Sequence, residues 1–223
     1  MRAVVLAAGL GTRLRPLTFF IPKPLAIVVD RPLIDYVLEW LRRNKVDEIA
    51  VVGHYMQRVL EKYLEEFHPD VVFFKSRKLL GTAGQLYYVK DWVKGDVFLI
   101  NSDVLTNLDL SHPARLHVER GFQLTIISHR FRQNLRFGVL EEEGGLLKTW
   151  REKPSFEYIT STGIYVVNEE IISKLREEYL DMDKLATLYR TGLYVAKEAV
   201  FYDVGTLQDL KSVKSVELSD LKP

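Results

Sequence analysis

Hydrophobic residues follow two rhythms along this chain. Short apolar runs, unbroken at Val4–Ala8, Ile49–Gly53, Val71–Phe74 and Val97–Ile100 and interrupted only by Thr125 at Leu124–Ile127, have the length of strands buried on both faces. Between them, apolar residues recur every three or four positions. That spacing predicts helices over 32–43, 56–67 and 111–120, and another from the turn at 80–84 to about Val93. Pro32 suits the first turn of its helix, because the missing N–H would have no partner there. Strands alternating with helices predict a mostly parallel sheet covered on both sides.

The pattern changes in the second half. Phe137–Glu143 and Leu146–Lys153 flank Gly144-Gly145, a hairpin signal, and Tyr158–Val167 adds a strand. Helices are predicted over 169–179 and 206–221. No repeat, low-complexity tract or linker interrupts the chain. The expected fold is a three-layer α/β sandwich with a mostly parallel mixed sheet and a small antiparallel extension, in one domain spanning 1–223.

The first strand runs into Gly9-Leu10-Gly11-Thr12-Arg13-Leu14-Arg15-Pro16, a glycine-bearing turn rich in cations, with Lys23 following. Glycines let successive backbone N–H groups close on an anion. Two other phosphate loops are excluded. No G-x-x-x-x-G-K-[ST] run exists. The dinucleotide fingerprint G-x-G-x-x-G fails at Leu14, and Pro16, Pro22 and Pro24 oppose the helix such a unit needs before Asp30.

Charge and composition narrow the picture further. Of 223 residues, 47% are hydrophobic and 27% charged, and the net charge is +1, so no global field favours nucleic acid or anionic lipid. Any attraction for phosphate is local. The absence of cysteine removes disulfides, thiolate metal sites and cysteine nucleophiles, and it fits a cytoplasmic protein. No apolar stretch reaches the roughly 20 residues of a membrane span, and the chain enters a strand at once with no expected signal peptide. The five histidines lack zinc spacing and read as solvent-facing or core-edge residues; no G-x-S-x-G elbow occurs.

LAAGLGTRLRPLT, then PKPL, LGTAG, NSD, EKP and DVGT occur in that order over nearly the whole chain. In these motifs the chain resembles the sugar-1-phosphate nucleotidylyltransferases. The resemblance implies a Rossmann-like nucleotide-diphospho-sugar transferase fold. It also implies Mg²⁺-dependent transfer of a nucleotidyl group from a nucleoside triphosphate to a sugar 1-phosphate, releasing pyrophosphate. LGTAG and NSDVLTNLDL are most similar to the mannose-1-phosphate guanylyltransferase branch, although Ser102 stands where glycine is usual.

By that resemblance Asp103 and Asp203 hold Mg²⁺, Arg13 stabilises the β- and γ-phosphates, and Lys23 contacts phosphate near the reacting centre. Leu6, Ala7, Ala8, Gly9, Gly11, Thr12, Gly81 and Thr82 line the nucleotide site. Gly138, Glu152, Lys153 and Thr162 line the sugar pocket, with Lys153 neutralising the sugar's phosphate. From the residues alone, Asp103 is a carboxylate ending an apolar strand, and ligands of open α/β sheets bind beyond such ends. Phe74–Leu79, where the family often carries a base-reading Gln or acid, has neither, which leaves the nucleobase open.

The chain stops soon after DVGT, so the expectation is a minimal catalytic unit without a C-terminal β-helix domain and of undetermined oligomeric state. A catalytically silent nucleotide-sugar-binding module serving a regulatory partner is the alternative. Such a module would be free to lose Arg13, Lys23, Asp103, Lys153 or Asp203, and all five are present.

Overall fold

The computed structural model describes residues 1–213. Strand β1 (Arg2–Ala7) feeds three successive 3₁₀ turns, Thr12–Leu14, Leu17–Phe19 and Lys23–Leu25, and then a two-residue pair, β2 (Ile27–Val28) with β3 (Arg31–Pro32). No helix bridges β1 and Asp30, which agrees with rejecting a dinucleotide unit. Helix α1 (Leu33–Arg43), β4 (Ile49–Gly53), α2 (Gln57–Phe67) and β5 (Val72–Lys75) follow as the periodicity predicts.

Helix α3 covers only Gly81–Gly84 and passes into a 3₁₀ turn, Gln85–Val89, so the continuous helix expected to Val93 does not form. The amides of Ala83 and Gly84 donate instead to the Leu180 carbonyl, at 3.0 and 2.9 Å. Next come β6 (Val97–Asn101), β7 (Val104–Thr106), α4 (Ser111–Arg120), β8 (Leu124–Asn134), β9 (Val139–Glu143) and β10 (Leu146–Arg151). β8 runs seven residues past the predicted end. Its distal half is exposed on both faces, so it carries no apolar run and is held by its ladder to the next strand.

β11 (Ser155–Val167) returns along β8. Helix α5 is Glu169–Ser173 rather than 169–179, because the chain then crosses to cap α3. Helix α6 (Met182–Leu188), the edge strand β12 (Thr191–Ala196), β13 (Phe201–Asp203) and α7 (Leu207–Ser212) complete the described residues. The expected helix over 206–221 is seen at Leu207–Ser212, and its part from 214 on lies outside them.

The seven-stranded sheet has the order β12-β8-β11-β6-β1-β4-β5. β6, β1, β4 and β5 run parallel, β11 is antiparallel to both β6 and β8, and β12 is parallel to β8. Alternate residues of β1 serve two cores. Ala3, Val5 and Ala7 pack with α1 and α2, whereas Val4 packs with α3, α5 and α6. The expected three-layer mixed sheet is therefore what forms. The hairpin β9–β10 projects as a separate two-stranded sheet with Gly144 and Gly145 at positive φ in its turn. His117 departs from the expectation for histidines: it is 1% exposed and bonded to Thr125 Oγ1 at 2.8 Å, a core residue. Among the described residues no helix is long and apolar enough to cross a membrane.

Candidate active site

Segments leaving the carboxyl ends of the parallel strands β1, β5 and β6 form much of the site, and β11, β13 and the chain before α6 complete it. The turn after β1 is held in shape from within. Gly11 has φ +61°, and a Cβ there would lie 2.8 Å from Thr18 Cγ2 and 3.1 Å from Lys23 Cβ. Its carbonyl accepts from Thr18 Oγ1 at 2.8 Å and from the Leu14 amide at 2.9 Å. Leu14, the residue that spoils the dinucleotide fingerprint, is fully buried and anchors the loop. Tyr55 adds a hydroxyl bond to the Thr18 carbonyl at 2.7 Å.

Gly11→Ala is expected to destabilise this turn by about 1–2 kcal/mol through the left-handed backbone alone. Thermal denaturation should register that loss, and affinity for a nucleoside triphosphate should fall about tenfold in a titration. An unchanged affinity would show that the turn does not form the phosphate seat.

The sheet brings the distant acids together. Asp103 does not end the strand as the sequence suggests: β6 stops at Asn101, and Asp103 lies two residues further on, in the turn between β6 and β7. β13 pairs antiparallel with β7, setting Asp203 opposite Val104, and the Val204 amide donates to the Asp103 carbonyl at 3.0 Å. The two aspartates, 100 positions apart by number, are thus neighbours across one ladder. Lys23 Nζ meets Asp103 Oδ2 at 2.5 Å, with both side chains largely buried.

Asp203 keeps one side open to solvent, yet protein encloses enough of its carboxyl to push its pKa above the ordinary value. Desolvation is the main cause and the Asp103 charge the next, offset by Lys23 and Arg13. Two carboxylates lining one cavity in a partly desolvated corner offer oxygen donors of the kind a hard divalent cation takes. Among the described residues no three acidic or histidine groups converge, so substrate phosphates and water would complete such a cation's shell.

The DVGT motif acquires a physical meaning residue by residue. A Cβ on Gly205 would come within 2.9 Å of an Arg13 guanidinium nitrogen, so the guanidinium rests on bare backbone. Thr206 and Asp209 form a reciprocal capping box that starts α7 and fixes the strand exit.

Two cavities meet at this point. The first, of about 440 Å³, is lined by Leu6, Ala7, Ala8, Gly9, Gly11 and Thr12, by Arg13, Lys23 and Asp103, and by Gly81 and Thr82. Every nucleotide-site residue expected from the sequence is therefore on one wall or another. The second, of about 300 Å³, shares Arg13, Asn101 and Asp103 with the first and adds Asp203 and Thr162. A bulge in β11 between Ser161 and Ile164, with Gly163 at φ +78°, presents Ser161 and Thr162 to it.

Three expected sugar-site residues stand apart from these walls. Gly138, Glu152 and Lys153 belong to the hairpin arm and line neither cavity. Gly138 lies against the Trp150 indole, whose Nε1 donates to Glu152 Oε2 at 3.0 Å. Lys153 is exposed and has φ +43°, a backbone state uncommon for a side chain of its size. Arg15 also lies off the walls, with its guanidinium 4.9 Å over the Phe19 ring.

Several lining residues escaped the sequence reading. Asn101 and Gly205 sit inside the quoted NSD and DVGT motifs and could have been taken from them. His129 and Tyr165 of the second cavity, and Gln85, Tyr179 and Asp181 of the first, carry no local signal. Burial lowers the pKa of His129 and raises that of Tyr165, which favours the neutral form of each.

Comparison with known proteins agrees with this architecture. A family described as nucleotidyl transferase matches residues 2–219. A UTP–glucose-1-phosphate uridylyltransferase from Synechocystis is 31% identical over all of this chain and 66% of its own length. A mannose-1-phosphate guanyltransferase from Saccharomyces cerevisiae is 31% identical over 99% of this chain and 66% of its own. The chain thus spans 66% of the length of these curated relatives. The crystal structure of HddC from Yersinia pseudotuberculosis complexed with GMP-PN superposes with a TM-score of 0.76 at 22% identity, covering 95% of this chain and 97% of that one. At that identity the match speaks for the fold.

Proposed function

The chain belongs to the nucleotidyl transferase family, and from that membership and the paired cavities we propose that it joins a nucleoside triphosphate to a sugar 1-phosphate. The products are a nucleoside diphosphate sugar and pyrophosphate. The observation that carries the reading is the junction of the two cavities at Arg13 and Asp103, with Lys23 and Asp203 beside it. The motifs LGTAG and NSDVLTNLDL favour the guanylyltransferase branch.

The triphosphate occupies the first cavity, where the glycine turn supplies N–H groups and Arg13 and Lys23 supply positive charge. The sugar phosphate enters the second cavity. One of its oxygens attacks the α-phosphorus, the bond from that phosphorus to the bridging oxygen breaks, and pyrophosphate leaves on the opposite side. A phosphate monoester with a second pKa of about 6 is already mostly dianionic at neutral pH, so no general base is needed. Catalysis then rests on alignment and charge compensation. Asp103 and Asp203 would hold a divalent cation, Mg²⁺ in this reading, which when bound neutralises phosphate charge. Arg13, spread on the Gly205 backbone, steadies the departing pyrophosphate.

Lys153 and Glu152 stand on the hairpin arm and line neither cavity; the EKP motif alone supports giving Lys153 the phosphate and Glu152 the hydroxyls of the sugar substrate. Lys153→Ala is expected to raise KM for the sugar phosphate about tenfold or more and to leave KM for the triphosphate within about twofold, because the charge-assisted hydrogen bond it removes serves one substrate alone. Equal effects on both substrates would remove Lys153 from the sugar side.

The reaction itself is tested by a matrix of common nucleoside triphosphates against several sugar 1-phosphates with Mg²⁺, read as pyrophosphate release. Turnover in one combination supports the transferase. Binding without release in any combination would favour a silent nucleotide-sugar-binding module instead.

A further inference from the structure

The hairpin arm projects apolar surface that its own chain does not cover. β9 and β10 form a separate two-stranded sheet, and a hairpin of that kind is marginally stable in water unless something packs on it. Phe137 is 80% exposed, Leu146 75% and Trp150 62%. Phe131 and Tyr158, opposite one another on the ribbon of β8 and β11 that carries the hairpin, are exposed as well. Apolar side chains concentrated on one projecting element mark a place where another protein surface packs.

Lys153 stands where the hairpin joins the ribbon. It is exposed at positive φ, and among the described residues its ammonium has no ion pair or hydrogen bond. The basic residues just before it, Lys148 and Arg151, are paired with Glu143 and Glu141. The ribbon also holds Lys153 away from its own second cavity, which begins at the Ser161–Thr162 bulge. From Ser155 to Ser161 the ladder of β8 and β11 is unbroken, about 20 Å of strand at the usual rise. Arg130 Nη1 braces it to Glu157 Oε1 at 2.6 Å. Lys153 could turn back to that cavity only if this ladder broke.

The second cavity, in turn, is short of positive charge. Its charged lining is Arg13, Asp103 and Asp203, and Arg13 also serves the first cavity. Burial keeps His129 on the neutral side. One guanidinium and one divalent cation set against two carboxylates leave a single positive charge to meet a phosphate dianion. A further cation has to come from outside the walls.

We propose that two copies of the chain exchange their arms, so that Lys153 of each enters the second cavity of the other. This rests on the second cavity being the sugar-phosphate site. In a two-fold dimer the exchange is reciprocal, each copy giving an arm and receiving one. It covers the apolar side chains of both arms and supplies the missing cation with both ladders intact. It also gives a reason for the EKP motif lying off the walls of a single chain.

Two measurements on the full chain test this. The first needs no activity. The chain has no cysteine, so Lys153→Cys and Ser161→Cys each introduce one thiol. Co-expressed with different tags, the two variants are expected to be joined by a short bismaleimide into a species that carries both tags on a denaturing gel. Light scattering should give the unaltered protein twice the mass of one chain. A monomeric mass overturns the proposal, and so does a dimer in which the two tags never join. The second measurement co-expresses Lys153→Ala with Asp103→Asn in equal amounts. A mixed dimer with exchanged arms has one whole site, in which an intact Asp103 meets the partner's Lys153. The kcat/KM for sugar phosphate should then reach about one quarter of the parent value, because half of the dimers are mixed and one site in each is whole. If each arm serves its own chain, only the roughly tenfold-weakened Lys153→Ala sites work, and about one twentieth remains, which overturns the proposal. Pyrophosphate release by the unaltered protein keeps the two readings separate. A tag-joined dimer with no release from any substrate pair sinks the transferase and spares the exchanged arm, whereas release by a monomer does the reverse.

Discussion

Asp103→Asn is expected to cut pyrophosphate release by roughly 10²–10³-fold, the loss typical when one part of the electrostatic support of a transition state is removed, here a carboxylate proposed to hold the charge-neutralising cation. The fold should survive. Asparagine keeps an oxygen for Lys23 Nζ, which now sits 2.5 Å from the carboxylate, and the turn that carries the side chain is held by backbone, through the Val204 amide bonded to the Asp103 carbonyl. A melting temperature within about 2–4 °C of the parent corresponds to about 1 kcal/mol for a chain of this size. Steady-state pyrophosphate release and a thermal melt on the same preparation make the check. Turnover near the parent level would remove Asp103 from the chemistry.

Asp203→Asn should separate activity from stability. Activity is expected to fall by about 10² or more, while the metal-free protein becomes more stable at neutral pH. The reason is the raised pKa of the Asp203 carboxyl, caused by desolvation and by Asp103. In the unfolded chain the group ionises near about 3.9. Between that pH and the higher folded-state pKa the folded chain binds more protons, so stability falls as pH rises through this window and stays reduced above it. Asparagine carries no charge and escapes the penalty. Melts in chelator across pH 4 to 8 should therefore show the variant ahead at pH 7 and the advantage shrinking towards acid. A variant that is less stable at pH 7 would mean that Asp203 supports the fold rather than straining it, and the shared-cation reading would lose its electrostatic basis.

Much of the fold could be read from the chain alone where its causes are local. Buried parallel strands announce themselves as apolar runs, and α1 and α2 as amphipathic spacing, because burial on one or two faces imposes those rhythms. The pattern misleads where tertiary packing sets the length of an element. α5 stops at Ser173 so that Leu180 can cap α3. Helices this short draw their stability from packing rather than propensity. β8 extends to Asn134 because β11 pairs with it, not because its sequence is apolar.

The site divides along the same line. What the sequence determined by itself was the glycine turn after β1, its cations, and the sheet beneath it, since positive φ at Gly11 and the burial of Leu14 are demands that neighbouring residues make of each other. What only the tertiary structure decided was proximity. The β7–β13 ladder brings Asp203 beside Asp103, Gly205 gives Arg13 its resting place, and the crossing segment sets Asp181 against Gly81. These pairings span 80 to 192 positions, from Lys23–Asp103 to Arg13–Gly205, and no local pattern of hydrophobicity or turn chemistry records which distant residues a sheet will place side by side.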